Sequence, residues 1–310
     1  MMALRVVESP PVVVCDGLTI RYGARAVADA VRFVIPRGAV YALLGRNGAG
    51  KSSIIRCLVG QRRPSAGGVR LFGRDAWRER ASLMARVGVV PEEPDAPPAM
   101  TVAELAEFSR RLYQRWDQSA LVARMARFGV PMHTRFGALS KGQKTQAALS
   151  LALAAAPELL VLDDPTLGMD LVARRELYGE LIGELADRGT TVLLTTHELA
   201  EVESIATHVG ILRAGRLVID EPLELLKGRV RQIRCAHGPA DVAGALAPFE
   251  PLALRSDGHG IEAVVGRYEP SAFDRFRRAG LVEAEAQPLA LADIFSAVVS
   301  EEAEPSGGNA

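Results

Sequence analysis

The sequence predicts an α/β fold built around a parallel β-sheet. Three observations predict it. Residues 159–163 (LLVLD) are apolar up to a terminal acid, the pattern of a strand buried on both faces. Residues 39–44 form a second apolar run that passes straight into glycines and then into a helical segment. Residues 190–196 are rich in β-branched Thr and Val and follow a helical stretch, so strands and helices alternate.

Composition sets the outer bounds. A length of 310 residues suggests roughly two domains. With 48% hydrophobic and 24% charged residues, the chain can build a sizeable core, which excludes wholesale disorder. The 37 basic and 37 acidic residues cancel, so a strongly basic nucleic-acid surface is not implied. Cys15, Cys57 and Cys235 lie too far apart for a metal motif or a disulfide framework, which fits a reducing cytosol. The opening MMALRVVESPP lacks the apolar core and cleavage site of a secretory leader. No window reaches the ~18 uninterrupted apolar residues of a membrane helix. The nearest, 147–156, is closed by Pro157. Work at a membrane therefore requires another polypeptide to supply the spanning helices.

The elements follow in order. Segments 12–15, 18–22, 31–35 and 39–44 read as strands, 52–60 as a helix and 86–90 as a strand. Residues 91–98 (PEEPDAPP) hold four prolines and three acids and form a loop. Thr101 and Glu104 make a capping box, behind which Val102, Leu105, Phe108 and Leu112 recur at helical spacing. Ser140 caps another helix, which stops before Pro157. Asp170 caps a third, with Leu177, Leu181 and Leu185 stacked and Gly189 ending it. Segments 209–212 and 217–220 flank an Ala214-Gly215 turn as a hairpin. After Gly228 the expected order is strand 230–235, helix 240–248, strand 252–256, turn Ser256 to Gly260, strand 261–267, helix 271–279, strand 281–286 and helix 290–300. The strands and helices from 230 to 286 resemble a β-α-β-β-α-β unit. Residues 301–310 (EEAEPSGGNA) read as a disordered tail.

The chemistry starts at Gly45, Arg46, Asn47, Gly48, Ala49, Gly50, Lys51, Ser52 and Ser53, which fit GxxxxGK[ST]. Glycines let the backbone curl so that several N–H groups face one anion, and the following helix aims its positive end there. Lys51 is placed to reach the β- and γ-phosphates of a nucleotide and Ser52 to bind Mg²⁺. The strand at 159–163 ends in Asp163 and Asp164, and a strand-end carboxylate sits beside such a loop. Asp163 suits a Mg²⁺ held through water, and Asp164 an attacking water. His197 closes the neighbouring strand and is placed for a γ-phosphate contact.

With Leu139, Ser140, Lys141, Gly142 and Gln143, the sequence resembles the ATP-binding subunits of ABC transporters. This stretch resembles their LSGGQ signature and lies, as there, between the phosphate loop and the acidic strand. The resemblance spans about residues 12–228. It implies a P-loop NTPase core with a parallel-sheet domain, an antiparallel β subdomain and a helical subdomain inserted at about 99–157. A small α+β C-terminal extension at 229–300 resembles that of some export subunits. Tyr22 matches the aromatic residue that stacks on adenine. Glu92 takes the place of the Q-loop glutamine, Asp170 matches the D-loop aspartate, and His197 the switch histidine.

The resemblance further implies ATP and Mg²⁺ as cofactors, with Ser52, Glu92 and Asp163 toward the metal and Asp164, His197 and Glu92 toward catalysis. It implies a second ATPase subunit, identical or paralogous, whose ATP is capped by Ser140, Lys141, Gly142, Gln143 and Asp170. A separate multi-span permease, export as the direction, a place on the cytoplasmic face of the cell membrane and no nucleic-acid partner complete the expectation. Three residues depart from the family pattern. Lys141 replaces a glycine, and either adds charge near a γ-phosphate or points to solvent. Glu92 replaces Gln and no longer donates a hydrogen bond. Asp164 replaces Glu, one methylene shorter, and misplacement by ~1 Å costs ~10²-fold in rate. A weakly hydrolysing regulatory subunit and a soluble ATPase of nucleic acid or ribosomes are the competing expectations.

Overall fold

The computed structural model describes residues 10–235, 242–257, 260–278 and 283–300. The chain divides into two compact units, Met1–Asp220 and Glu221–Ala310. The limit expected at 228 therefore lies one helix further along the chain than the division. The expected tail 301–310 and residues 1–9 lie outside the described residues. So do parts of the expected helix 240–248, turn Ser256 to Gly260, helix 271–279 and strand 281–286.

The first unit opens with an antiparallel ribbon, β1 (Val13–Tyr22) and β2 (Arg25–Ile35). Segments 12–15 and 18–22, expected as two strands, are one. Gly17 takes a left-handed φ of +58°, and the register shifts there while the ladder continues. Strand β2 starts six residues before the expected Val31, because its polar, alanine-rich first half lacks β-branched density. The wholly buried β3 (Val40–Gly45) leads into α1 (Lys51–Leu58). Strands β4 (Ala66–Leu71) and β5 (Arg74–Asp75), which the glycine-rich sequence hides, complete a sheet of order β2-β1-β4-β5.

Next come α2 (Arg80–Leu83) and β6 (Val87–Val90), then an inserted helical segment of α3 (Val102–Arg110), α4 (Gln118–Arg127) and α5 (Lys141–Ala154). The Thr101–Glu104 capping box forms as expected. Helix α3 stops at Arg110, and Phe108 and Leu112 are exposed, unlike the buried Val102 and Leu105. The expected apolar stripe is therefore interior at its start and surface at its end. The chain returns through β7 (Leu159–Asp163), α6 (Leu171–Arg188), β8 (Thr191–Thr195), α7 (Leu199–Ile205), β9 (His208–Arg213) and β10 (Arg216–Pro222). The main sheet has the order β10-β9-β3-β8-β7-β6. Its members β9, β3, β8, β7 and β6 are parallel. Every residue of β3, β7 and β8 is buried, so the sheet is covered on both faces. This order lays the C-terminal ends of β3, β8 and β7 side by side, where ligands of open parallel sheets bind.

The second unit holds α8 (Leu223–Arg229), β11 (Arg231–Cys235), α9 (Val242–Leu246), β12 (Pro251–Asp257), β13 (Gly260–Val265), α10 (Pro270–Arg278), β14 (Ala284–Pro288) and α11 (Leu291–Val299). Its β-α-β-β-α-β order makes an antiparallel sheet, β12-β13-β11-β14. One face buries Ile233, Cys235, Ala263 and Val265 with Phe249, Phe273 and Phe276. Burial raises the Cys235 thiol above its ordinary range. An exposed row of alternating charge, Arg255, Glu262, Arg234 and Glu285, crosses all four strands at paired positions. No helix of the described residues is long and apolar enough to cross a membrane.

Helices α4 and α6 are joined by buried charge. Arg124 donates to Glu180 at 2.9 Å and to Glu184 at 3.0 Å. The Glu180 and Glu184 side chains are only 7% and 3% exposed. Removing the cation leaves two buried carboxylates with less compensation. Arg124→Ala should therefore destabilise the first unit by about 3–5 kcal/mol. Arg32→Ala should cost under about 1 kcal/mol, because the Arg32–Asp16 pair is 72% and 74% exposed. Denaturant unfolding checks this, and equal losses would contradict it.

Candidate functional site

The loop after β3 is shaped by what its backbone must avoid. Gly48 and Gly50 take φ of +79° and +107°. A Cβ on Gly50 would lie 2.3 Å from the Val27 carbonyl oxygen, whereas one on Gly48 would meet nothing within 4 Å. Helix α1 then starts at Lys51 with no acid in its first turn, so its positive end is uncompensated by the chain itself. Lys51 Nζ folds back to donate to the Gly45 carbonyl at 2.6 Å and the Arg46 carbonyl at 3.3 Å. Burial lowers the proton affinity of Lys51, and Asp164, Asp163 and Glu92 oppose that shift.

Asn47, Gly48, Ala49, Gly50, Lys51, Ser52 and Ser53 form one wall of a cleft of about 310 Å³. Glu92, Asp163, Asp164, Thr195 and His197 form the other. Parallel pairing sets Asp163 opposite Thr195. Thr195 Oγ1 donates to Asp163 Oδ1 at 2.7 Å and accepts the Asp164 N–H at 3.0 Å. The Asp164 N–H also reaches the Thr195 carbonyl at 3.0 Å. Asp164 itself is left-handed, with φ of +46°, a conformation Asp tolerates better than most residues. His197 Nε2 stands 3.3 Å from Asp164 Oδ2. Burial raises the Asp164 carboxyl above its ordinary range; His197 and Lys51 oppose this, while Glu92 and Asp163 add to it. Thr195 was missed as a site residue by sequence reading, although it is the last strand residue two positions before His197.

The remaining predicted residues fall in two places. Tyr22, at the end of β1, lies beside the phosphate loop with its hydroxyl 3.4 Å from Ser53 Oγ. Ser140, Lys141, Gly142, Gln143 and Asp170 are not part of the cleft wall. Ser140 caps α5 in a reciprocal box with Gln143, at 3.2 and 3.0 Å. Asp170 caps α6 by accepting the Ala173 N–H at 2.9 Å. The two caps adjoin, because a Cβ on Gly142 would lie 3.7 Å from Met169 Cγ and one on Gly168 3.2 Å from Lys141 Cδ. The Lys141 stem therefore runs along the loop before α6, and the residue is exposed.

A phosphate loop at the positive end of a helix, facing two strand-end carboxylates, defines the site of a P-loop nucleoside triphosphatase. Comparison with known proteins narrows the class. A family model described as ABC transporter matches residues 28–167. The chain is 32% identical over 218 residues to the bacitracin transport ATP-binding protein BcrA of Bacillus licheniformis, covering 69% of this chain and 71% of that protein. It is 35% identical over 242 residues to the Nod factor export ATP-binding protein I of Paraburkholderia xenovorans, covering 76% of each. A solved ATP binding subunit of an ABC transporter superposes with a TM-score of 0.65 at 26% identity, over 70% of this chain and 92% of that one. The chain belongs to the ATP-binding subunits of the ABC transporter family. It binds and hydrolyses ATP, and it powers a membrane component carried on a separate polypeptide.

The Gly50 contact gives a test without ligand. In nucleotide-free protein, Gly48→Ala should cost about 1 kcal/mol of backbone strain. Gly50→Ala should cost clearly more, since the loop must move away from Val27. Unfolding midpoints compare the two, and equal shifts would contradict the stated cause.

Proposed function

We propose that the chain drives export through a multi-span permease, as one of two ATPase subunits that close on two ATP molecules. One observation carries the reading. The chain has two anion-binding features, and they do not share a cleft. The Lys51 loop faces Asp163 and Asp164, while the Ser140 end of α5 lies apart from them. Head-to-tail pairing would bring Ser140, Lys141, Gly142, Gln143 and Asp170 of one subunit onto the nucleotide held by Lys51 of the other. An identical or a paralogous partner satisfies this geometry equally. The bacitracin transport and Nod factor export relatives support export as the direction. The permease would hold the subunits at the cytoplasmic face of the membrane, and nucleic acid has no part in the scheme.

In the cleft, residues 45–53 would cradle the phosphates, Lys51 would face the β- and γ-phosphates, and Tyr22 would stack on the adenine. Among the described residues no three His, Cys, Asp or Glu side chains converge as a protein-only metal site. Ser52, Asp163 and Glu92 instead offer the sparse oxygen donors that suit Mg²⁺ held mainly by phosphates and water. Mg²⁺ bound there would shield phosphate charge. Asp164 would orient the attacking water, with its carboxylate held by His197 at 3.3 Å and its backbone held by Thr195. Asp164→Asn should then keep ATP binding and lose at least ~10²-fold in turnover. The base acts only when ionised, and burial and Glu92 both raise its proton affinity. Activity should therefore fade, as pH drops, above the ordinary carboxylate range. Glu92→Gln removes one raising charge and should move that acid limb to lower pH. An unmoved limb, or wild-type turnover in Asp164→Asn, would contradict the assignment.

A second concavity of about 410 Å³ suits the permease. Its apolar lining includes Val89, Pro91, Met100, Leu105, Phe108 and Phe136. Pro91 belongs to this groove and Glu92 to the ATP cleft, so consecutive residues tie docking to the metal side of the site. Phe108, 58% exposed, supplies the natural anchor. Phe108→Asp should leave ATP binding intact and release the chain from its permease during purification from solubilised membranes. Undiminished recovery would remove the groove from the scheme.

A further inference from the structure

The edge of the nucleotide site contains an arrangement that phosphate chemistry does not use. The Arg62 guanidinium lies on the Tyr22 ring, with Cζ 3.8 Å from the ring centroid. Its Nη2 donates to the Arg21 carbonyl at 2.7 Å. Its Nε is buried without a partner. The guanidinium thus forgoes one donor bond in order to lie against the ring, although a buried unpaired donor is costly. The backbone around Arg62 is anchored. Its N–H donates to the Arg56 carbonyl at 3.0 Å, just after α1, and Ser65 Oγ accepts the Arg21 N–H at 3.0 Å. The 61–65 turn is therefore stitched both to the end of α1 and to β1.

The ring is held at its edge as well. The Tyr22 hydroxyl pairs with Ser53 Oγ of the phosphate loop at 3.4 Å. That bond, with the nearby Arg62 and Arg56, lowers the phenol below its ordinary range. With Arg62 over one face, Tyr22 still stays 43% exposed. An aromatic ring backed by a cation and still partly open is a stacking platform, and every nucleobase has a π-face to offer it.

We propose that Arg62 is a positioning residue for the nucleobase, backing Tyr22 so that guanidinium, phenol ring and purine form one three-layer stack. This rests on the reading of Tyr22 as the adenine-stacking residue. Arg62 does two things. It limits the rotation of the Tyr22 side chain before ligand arrives, and it draws π-density from the ring, which favours stacking on an electron-rich purine. Its contribution belongs to the base and not to the phosphates, which Lys51 and the loop hold.

Equilibrium binding of two probes to the full chain separates these parts: ATP, and inorganic triphosphate, which has the phosphates without the base, each with Mg²⁺. Tyr22→Ala should weaken ATP about 10-fold and leave triphosphate unchanged. Arg62→Ala should weaken ATP about 2- to 5-fold and also leave triphosphate unchanged. Arg62→Lys, which keeps the charge without the planar fork, should recover part of that loss. If Tyr22→Ala weakens ATP alone while Arg62→Ala weakens neither probe, the role of Arg62 is overturned and that of Tyr22 stands. Equal loss of both probes in Arg62→Ala would make the residue a structural tie of the loop and overturn the proposal too. Should Tyr22→Ala weaken neither, the reading of Tyr22 has failed, and the proposal falls with it.

Discussion

A single buried hydroxyl orders the acidic side of the site. Thr195 donates to the Asp163 carboxylate at 2.7 Å and accepts from the Asp164 backbone at 3.0 Å. It does so because β7 and β8 are parallel and in register, Asp163 against Thr195. A one-residue slip would turn each side chain to the other face of the sheet and part the acids from the phosphate loop. The wholly buried strands forbid that slip, since it would also repack a sheet covered on both faces. Packing of the sheet and placement of the chemistry are thus one constraint.

Electrostatics follows from that placement. Lys51 sits among Asp163, Asp164 and Glu92, whose fields oppose the loss of proton affinity caused by its burial. Burial raises Asp164, and Glu92 and Asp163 add to the rise. Bound phosphates would bring several negative charges into this balance, which the positive N-terminus of α1 beside the lysine would offset. Glu92 follows directly on Pro91 of the apolar groove, so the groove and the acidic side of the cleft are adjacent along the chain.

How much of this was legible in the sequence depended on whether the signal was local. The phosphate loop, the acids at 163 and 164, the Ser140 cap and the β-α-β-β-α-β order of the second unit are patterns within short windows, and the described residues form a loop leading into α1, the end of β7, the cap of α5 and an antiparallel sheet there. Strands β4 and β5 were invisible, since AGGVRL and RD carry little β propensity and form through pairing with β1 and with each other. Helix α4 went unread although its signals are local, the Asp117 cap and the buried pair Leu121 and Met125 one turn apart, because Arg and Gln residues dilute the apolar pattern around them. Phe108 and Leu112 match helical spacing yet lie at the surface, since periodicity cannot tell a core face from a docking face. Thr195 and Arg62 escaped for one reason: each acts through a partner distant in sequence, which only tertiary structure supplies.

The central claim is that one chain holds half of each ATP site, with Lys51 facing one nucleotide and Ser140 reserved for another. Mass measurement in solution tests it most directly, on Asp164→Asn protein with Mg²⁺ and ATP, where slow turnover keeps the nucleotide in place. The account predicts a species of two chains that holds two ATP molecules and falls to single chains when Ser140→Arg is added, with ATP still bound through Lys51. A chain that binds ATP and pairs neither with itself nor with a paralogous ATPase subunit, across concentrations well above its ATP dissociation constant, would contradict it.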